Sequence, residues 1–177
     1  MPTYRRNFAA GGSYFFTVNL AERRLRLLTE HIELLRAAFR YARFRRPFTI
    51  DAIVVLPDHL HTIWTLPIDD GDFAVRWQLI KATFSRRLSR GERVSASRLR
   101  KRERGIWQRR YWEHTIRDEE DFARHVDYIH FNPVKHGHVE QVQAWPFSSF
   151  HHFVRLGLYP ESWGGGFEDG KTGFGER

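Results

Sequence analysis

The sequence predicts an α+β fold, an antiparallel sheet with helices packed on it, and three observations carry that prediction. Residues 48–66 alternate as two strands around Pro57-Asp58, which makes an antiparallel hairpin. Residues 72–88 repeat apolar side chains at helical spacing, and a second helical period opens at Asp118 with three acidic residues in its first turn. Strands interleaved with helices in this way form sheet-and-helix layers.

The first strand is read at Ser13 to Leu20, where β-branched and aromatic residues follow the Gly11-Gly12 turn. A helix follows over His31 to Phe44, with Ile32, Leu35, Ala38 and Phe39 on one stripe and Pro47 just beyond its end. Phe48, Ile50, Ala52, Val54 and Leu56 share one face of the second strand, and His59 to Leu66 forms its partner. In the segment Asp72 to Leu88, Phe73, Trp77, Ile80, Phe84 and Leu88 give the clearest helical period of the chain. Residues 89–104 are polar and basic and are expected to form a mobile loop. Gly105 to Ile116 reads as a further strand. The helix from Asp118 carries Phe122, Val126 and Ile129 on its apolar stripe, and Pro133 is expected to end it. Residues 1–165 are read as one domain, and 166–177, behind a run of glycines, as a flexible tail.

With 177 residues, 41% of them hydrophobic, the chain is long enough to bury a core. It has no cysteine, which excludes disulfide frameworks and thiolate metal sites and reads as intracellular. No apolar run is long enough to span a bilayer, and the first residues lead into no signal-peptide core, so a soluble, cytoplasmic protein is expected.

The net charge of +8 is unevenly placed. Residues 1–50 carry ten basic and three acidic side chains and 76–110 carry thirteen and two, whereas 51–75 has five aspartates and no Lys or Arg. Basic excess confined to two segments, and made largely of arginine, is the footprint of a polyanion-binding surface. A merely solvated surface has a similar composition, so the site residues must decide between them.

His59 and His61 lie two apart on a predicted strand and so project from the same face, where both imidazoles can meet one ion. Tyr128 and Asn132 lie four apart on the predicted helix, about 40° from each other around its axis. If the apolar stripe of that helix packs on the sheet, the amide oxygen of Asn132 becomes a third ligand candidate and Tyr128 stands beside the histidines. Each residue alone has an ordinary structural explanation: a satisfied histidine pair, a helix terminator before proline, a buried aromatic. His130, His136 and His138 fall in the same segment.

Three stretches carry a family resemblance. Val55-Leu-Pro-Asp-His-Leu-His-Thr-Ile-Trp64, the segment from Gly105 to Asp118, and Tyr128-Ile-His-Phe-Asn-Pro-Val-Lys-His-Gly137 resemble those of the REP-associated tyrosine transposases, relatives of the single-strand transposases of simple bacterial insertion sequences. Gly12 to Val18 and Trp145 to Ser149 extend the likeness, which runs from about residue 10 to 165. The resemblance implies a four- or five-stranded antiparallel sheet of the RNA-recognition-like, HUH type. It implies a divalent ion, Mg²⁺ or Mn²⁺, held by His59, His61 and Asn132, and Tyr128 as the residue that becomes joined to DNA. It also implies single-stranded DNA as substrate, presented as hairpins of palindromic repeats and cut beside a short guide.

Arg109 and Arg110 beside Trp107 and Trp112 suit a flexible single strand, which needs both phosphate contacts and stacking. One of the two tryptophans is expected in the core. Arg86, Arg87, Arg100, Lys101 and Arg102 are placed to hold a hairpin stem by its backbone. The sequence is compatible with a monomer or a dimer. Three functions compete: a tyrosine nuclease and strand-transferase, a non-catalytic nucleic-acid-binding sheet, and a metallohydrolase acting through metal-bound water in which Tyr128 only orients the substrate.

Overall fold

The computed structural model describes residues 7–164. Along the chain run β1 (Ser13–Asn19), α1 (Leu27–Glu30), α2 (Ile32–Arg45), β2 (Thr49–Val55), β3 (His59–Thr65), α3 (Phe73–Arg87), α4 (Ala96–Arg100), β4 (Trp112–Thr115), α5 (Glu119–Lys135) and α6 (Phe150–Arg155), with a 3-10 turn at Val142–Ala144. The strands form one four-stranded sheet in the order β2-β3-β1-β4, and every pairing is antiparallel. This is the α+β architecture that the sequence predicts.

Helices cover both faces of the sheet. On one face, alternate residues of β1 and β3 (Tyr14, Phe16, Val18, Leu60, Trp64) meet Leu35 and Phe39 of α2 and Trp77, Ile80 and Phe84 of α3. Trp64 lies at the centre, stacked on Trp77 at 4.2 Å and against Phe48 at 4.3 Å. On the other face a smaller cluster of Phe15, Ala52, Val54 and Ile63 meets Val126, Tyr128 and Ile129 of α5. Helix α5 starts where Asp118 accepts a hydrogen bond from the Asp121 amide, with Glu119, Glu120 and Asp121 in the favourable first turn. Within α3, Arg76 is fully buried, and its guanidinium donates to the carbonyls of Asp72 and Pro47 and to the Asp70 carboxylate.

Four local expectations are corrected. The apolar face read through Phe48, Ile50, Ala52, Val54 and Leu56 is split by a β-bulge between Ile50 and Ala52: the first two pack with α2 and α3, the last three beneath α5. The strand read over Gly105 to Ile116 shrinks to four residues, and Trp107 makes only an isolated bridge to Leu20. The basic loop contains α4, capped by Ser95, and is pinned from inside. Arg104 donates to the carbonyls of Ser85, Leu88 and Ser89 and pairs with Glu92, while Arg98 donates to the carbonyls of Arg104 and Trp107. A Cβ at Gly105 would lie 2.4 Å from the Arg93 carbonyl oxygen, so the loop closes only over glycine. Finally, Pro133 lies inside α5, which continues to Lys135. Near a C-terminus proline removes one backbone bond and leaves the last turn intact.

The outer edge of β2 is sealed by residues 147–149. Val55 and Ser149 donate backbone hydrogen bonds to the carbonyls of Phe147 and Ile53, and the Ser149 hydroxyl accepts from the Ile53 amide. The expected tail, 166–177, lies outside the described residues.

Candidate functional site

His59, His61 and Tyr128 converge between β3 and α5. The sheet alternation puts both histidines on the α5 face, buried, with their ring centroids 5.0 Å apart. Tyr128 is also buried, its ring 5.2 Å from that of His61 and edge-on to Phe15 at 6.1 Å. Asn132, one turn further along α5, is completely buried.

Neighbouring groups fix the orientation of each imidazole. His59 Nδ1 donates to Asp58 Oδ1 at 2.8 Å, and Asp58 in turn pairs with Arg23, whose guanidinium also donates to Asn19 Oδ1. Burial opposes ionisation of Asp58, but the hydrogen bonds and charges of His59 and Arg23 outweigh it and hold the carboxyl well below its usual range. His61 Nδ1 lies 2.8 Å from the Thr17 hydroxyl on β1. Both Nδ1 atoms are therefore occupied by the protein, which directs each Nε2 into the space before α5. His59 Nε2 is buried and has no hydrogen-bond partner among the described residues. A carboxylate-held histidine with a bare inward nitrogen is the arrangement of a metal ligand. The spacing of the two rings can be spanned by two metal–nitrogen bonds of about 2.1 Å. The donor set thus fits a divalent cation.

The surrounding histidines separate into distinct roles. His136 stands at the mouth of the site, its ring 5.1 Å from that of His59. His138 packs on Trp145. His130 points elsewhere, hydrogen-bonded to the Ser149 hydroxyl amid Phe150, Phe153 and Tyr159, and burial drives its pKa down to about 3. A second His-Asp-His group, His114, Asp121 and His125, lies further along the same face. Its imidazoles are stacked at 4.7 Å and nearly parallel, so their in-plane lone pairs cannot meet on one ion. Asp121 already accepts from His114, Arg124 and the Arg117 amide. This group is a polar clamp that ties β4 to α5.

Of the residues read as nucleic-acid contacts, Arg86, Arg87, Arg100, Lys101, Arg102, Arg109 and Arg110 lie at the surface. Arg109 is held by Glu103 and the Ser97 hydroxyl. The tryptophans divide: Trp107 is buried against Phe84, which corrects its reading as a stacking platform, while Trp112 is 41% exposed. Through the pairs Thr17↔His61 and Thr17↔Trp112, Trp112 shares a cross-strand row with His61 and therefore faces the same side of the sheet.

Sequence reasoning missed Asp58, Arg23, Thr17 and Lys135. Asp58 was available as the acid immediately before His59, and Lys135 as the third member of an i, i+4, i+7 set with Tyr128 and Asn132. Thr17 required the strand register and Arg23 the course of the loop after β1, neither of which sequence alone provides.

No family model matches the chain. Two curated relatives do. The REP-associated tyrosine transposase of Escherichia coli K12 is 48% identical over 173 residues, covering 98% of this chain and 97% of the relative. The Haemophilus influenzae protein described as a putative REP-associated tyrosine transposase is 48% identical over 166 residues, covering 93% and 94%. A solved structure of a REP-associated tyrosine transposase bound to a REP hairpin superposes with a TM-score of 0.85 at 47% identity, covering all of this chain and 98% of the other. At this identity and coverage the chain is an enzyme of their class, and it belongs to the REP-associated tyrosine transposases.

Proposed function

We propose that this protein is a metal-dependent, single-strand DNA endonuclease and strand-transferase that acts on hairpin-forming palindromic repeats through a 5′-phosphotyrosine. The observation that carries this reading is the meeting of Tyr128 with His61 at 5.2 Å beside the bare Nε2 of His59. The hairpin bound by the solved relative supports the substrate class.

His59 and His61, with Asn132, would hold the ion, Mg²⁺ or Mn²⁺. When bound, it offsets the charge that builds on the scissile phosphate. Tyr128 supplies the nucleophile: its oxygen bonds to phosphorus as the P–O3′ bond breaks, which leaves a 5′-phosphotyrosine and a free 3′-hydroxyl. A second 3′-hydroxyl reverses the step and joins new ends, so rejoining needs no external energy source. Asp58 holds the ligand tautomer of His59, Thr17 engages Nδ1 of His61 and so orients its ring, and the packing of α5 on Phe15 and Ile63 holds Tyr128 in place. Trp112 and Arg110 would guide the single strand, and Arg86, Arg87, Arg100, Lys101 and Arg102 the stem. Among the described residues no helix is long and apolar enough to cross a membrane, and a protein acting on repeat DNA would work in the cytoplasm.

Incubating the protein with Mn²⁺ and a repeat hairpin labelled at its 3′ end, the end that a 5′-phosphotyrosine retains, followed by denaturing electrophoresis, tests the reading. A labelled protein band is expected from the wild type and none from Tyr128→Phe, which keeps the ring and should still bind the hairpin. Cleavage without any protein-linked label would favour attack by water and refute the phosphotyrosine.

A further inference from the structure

The ligand set leaves one cation beside the nucleophile without a role. Lys135 follows Tyr128 by seven residues, which brings it back to within about 20° of the same face of α5. Its ammonium lies 3.3 Å from the Tyr128 hydroxyl oxygen and 4.8 Å from the centroid of the ring. This meeting depends on the helical turn beyond Pro133, because a helix ending at the proline would release Lys135 from that register. Lys135 is exposed to solvent and directly precedes His136, whose ring lies 5.1 Å from that of His59.

We propose that Lys135 is a catalytic residue of strand cleavage and rejoining, a fixed positive charge that donates a hydrogen bond to the tyrosine oxygen while its bond to phosphorus is partly made. The proposal rests on Tyr128 being the nucleophile. In cleavage, the phenolic proton passes to solvent, the Oη–P bond forms, the P–O3′ bond breaks, and the departing 3′-oxygen takes a proton from solvent. In rejoining, a 3′-hydroxyl gives up its proton to solvent and attacks phosphorus, the Oη–P bond breaks, its electron pair returns to Oη, and Oη takes a proton from solvent. In both directions Oη is more negative at the midpoint than in the neutral phenol or the phosphodiester. A donor already aimed at that atom therefore favours the transition state over either ground state. Lysine suits the position because its ammonium is a compact charge with three rotatable donors, able to stay on Oη while also touching a phosphate oxygen.

The alternative is structural: the lysine stem packs on the tyrosine ring, and its charge complements the C-terminal end of α5. Three variants separate the two. Lys135→Met keeps the stem without charge or donor, Lys135→Gln keeps a donor without charge, and Lys135→Arg keeps both. Each is compared with the wild type for hairpin affinity, melting temperature, single-turnover adduct formation with Mn²⁺, and release of the purified adduct by a 3′-hydroxyl oligonucleotide. Met and Gln are expected to slow both chemical steps by about 10- to 100-fold, with unchanged affinity and melting temperature, and Arg is expected to recover most of the rate. Wild-type rates in Met or in Gln would overturn the proposal, as would an Arg variant as slow as Met. A wild type that forms no adduct at all would instead remove the nucleophile assignment itself.

Discussion

Along β3, Leu60 and Trp64 enter the cluster beneath α2 and α3, whereas His59, His61 and Ile63 face α5. The same strand thus contributes to two kinds of interior. The α2/α3 face is aromatic, with Tyr14, Phe16, Trp64, Phe73, Trp77 and Phe84 gathered in one cluster. The α5 face buries His59, His61, His125, His130, Asp121 and Asn132 among fewer apolar side chains. Burying so many polar groups costs stability unless each has a partner or a task. One face therefore maintains the fold and the other would carry the proposed chemistry, and substitutions on either side can break or sharpen that division.

The largest contrast is expected between His61→Ala and Trp64→Ala, three residues apart on one strand. His61→Ala, like His59→Ala, should abolish cleavage while hairpin binding survives, and it should remove any rise in melting temperature caused by Mn²⁺. Hairpin cleavage at the wild-type rate in either histidine variant would sink the metal site. Trp64→Ala should instead cost about 3–5 kcal/mol in denaturant unfolding, since it empties the centre of the aromatic cluster. If that variant kept its stability and lost only activity, the division between the faces would fail.

A smaller effect separates the faces by pH. Burial holds the pKa of His130 at about 3, well below its ordinary value of 6.5. The folded protein therefore keeps this ring neutral where the unfolded chain protonates it. The stabilising contribution is whole above about pH 6.5 and is lost progressively as pH falls towards 3. His125, also depressed by burial, acts in the same direction. Between about pH 4.5 and 6.5 most unperturbed carboxylates stay ionised, so the loss there belongs largely to the α5 face. His130→Gln should flatten that part of the stability curve by up to about 1.4 kcal/mol per pH unit, and equal slopes in the two proteins would disprove the origin.

The two tryptophans of the Trp107 to Trp112 segment offer the next test. Trp112→Ala should leave the melting temperature alone and weaken single-strand binding by about 1–3 kcal/mol, whereas Trp107→Ala should chiefly destabilise the fold. The reverse pattern would reassign both rings. The smallest expected change is in Arg100, Lys101 and Arg102 replaced together by glutamine. The log–log salt dependence of hairpin binding should flatten by roughly one unit for each phosphate that these side chains no longer neutralise, and an unaltered slope would place α4 away from the DNA.

What could be read in the sequence follows the same division. Period-2 and period-3.6 patterns revealed β3 and α3 because both are regular and continuous along their length. The pairing of His59 with His61, and of Tyr128 with Asn132, follows from the same periods. The bulge at Ile50/Ala52 was hidden because it moves apolar residues from one apolar environment to another and leaves no mark on hydrophobicity. The shortened β4 was hidden because Trp107 is as good a core residue as a strand residue. The ordered basic loop was hidden because arginines that bond to backbone carbonyls look, in sequence, like arginines that face solvent. Partners fixed by register across strands, such as Thr17 for His61, lie beyond any local pattern.

The seal on the β2 edge has a consequence in time as well as in space. Ile53 and Ser149 are separated by 96 positions, and α5 itself begins only at Glu119. Contacts of such separation close late in folding, and a chain emerging from the ribosome cannot form them until both ends exist. His59 and His61 are therefore synthesised well before Tyr128, and they wait on a half-covered sheet until the last third of the chain docks. During translation the nascent chain holds its two candidate ligands before its proposed nucleophile. On the proposed assignment, the cutting site is therefore assembled only once α5 has been made and has docked on the sheet.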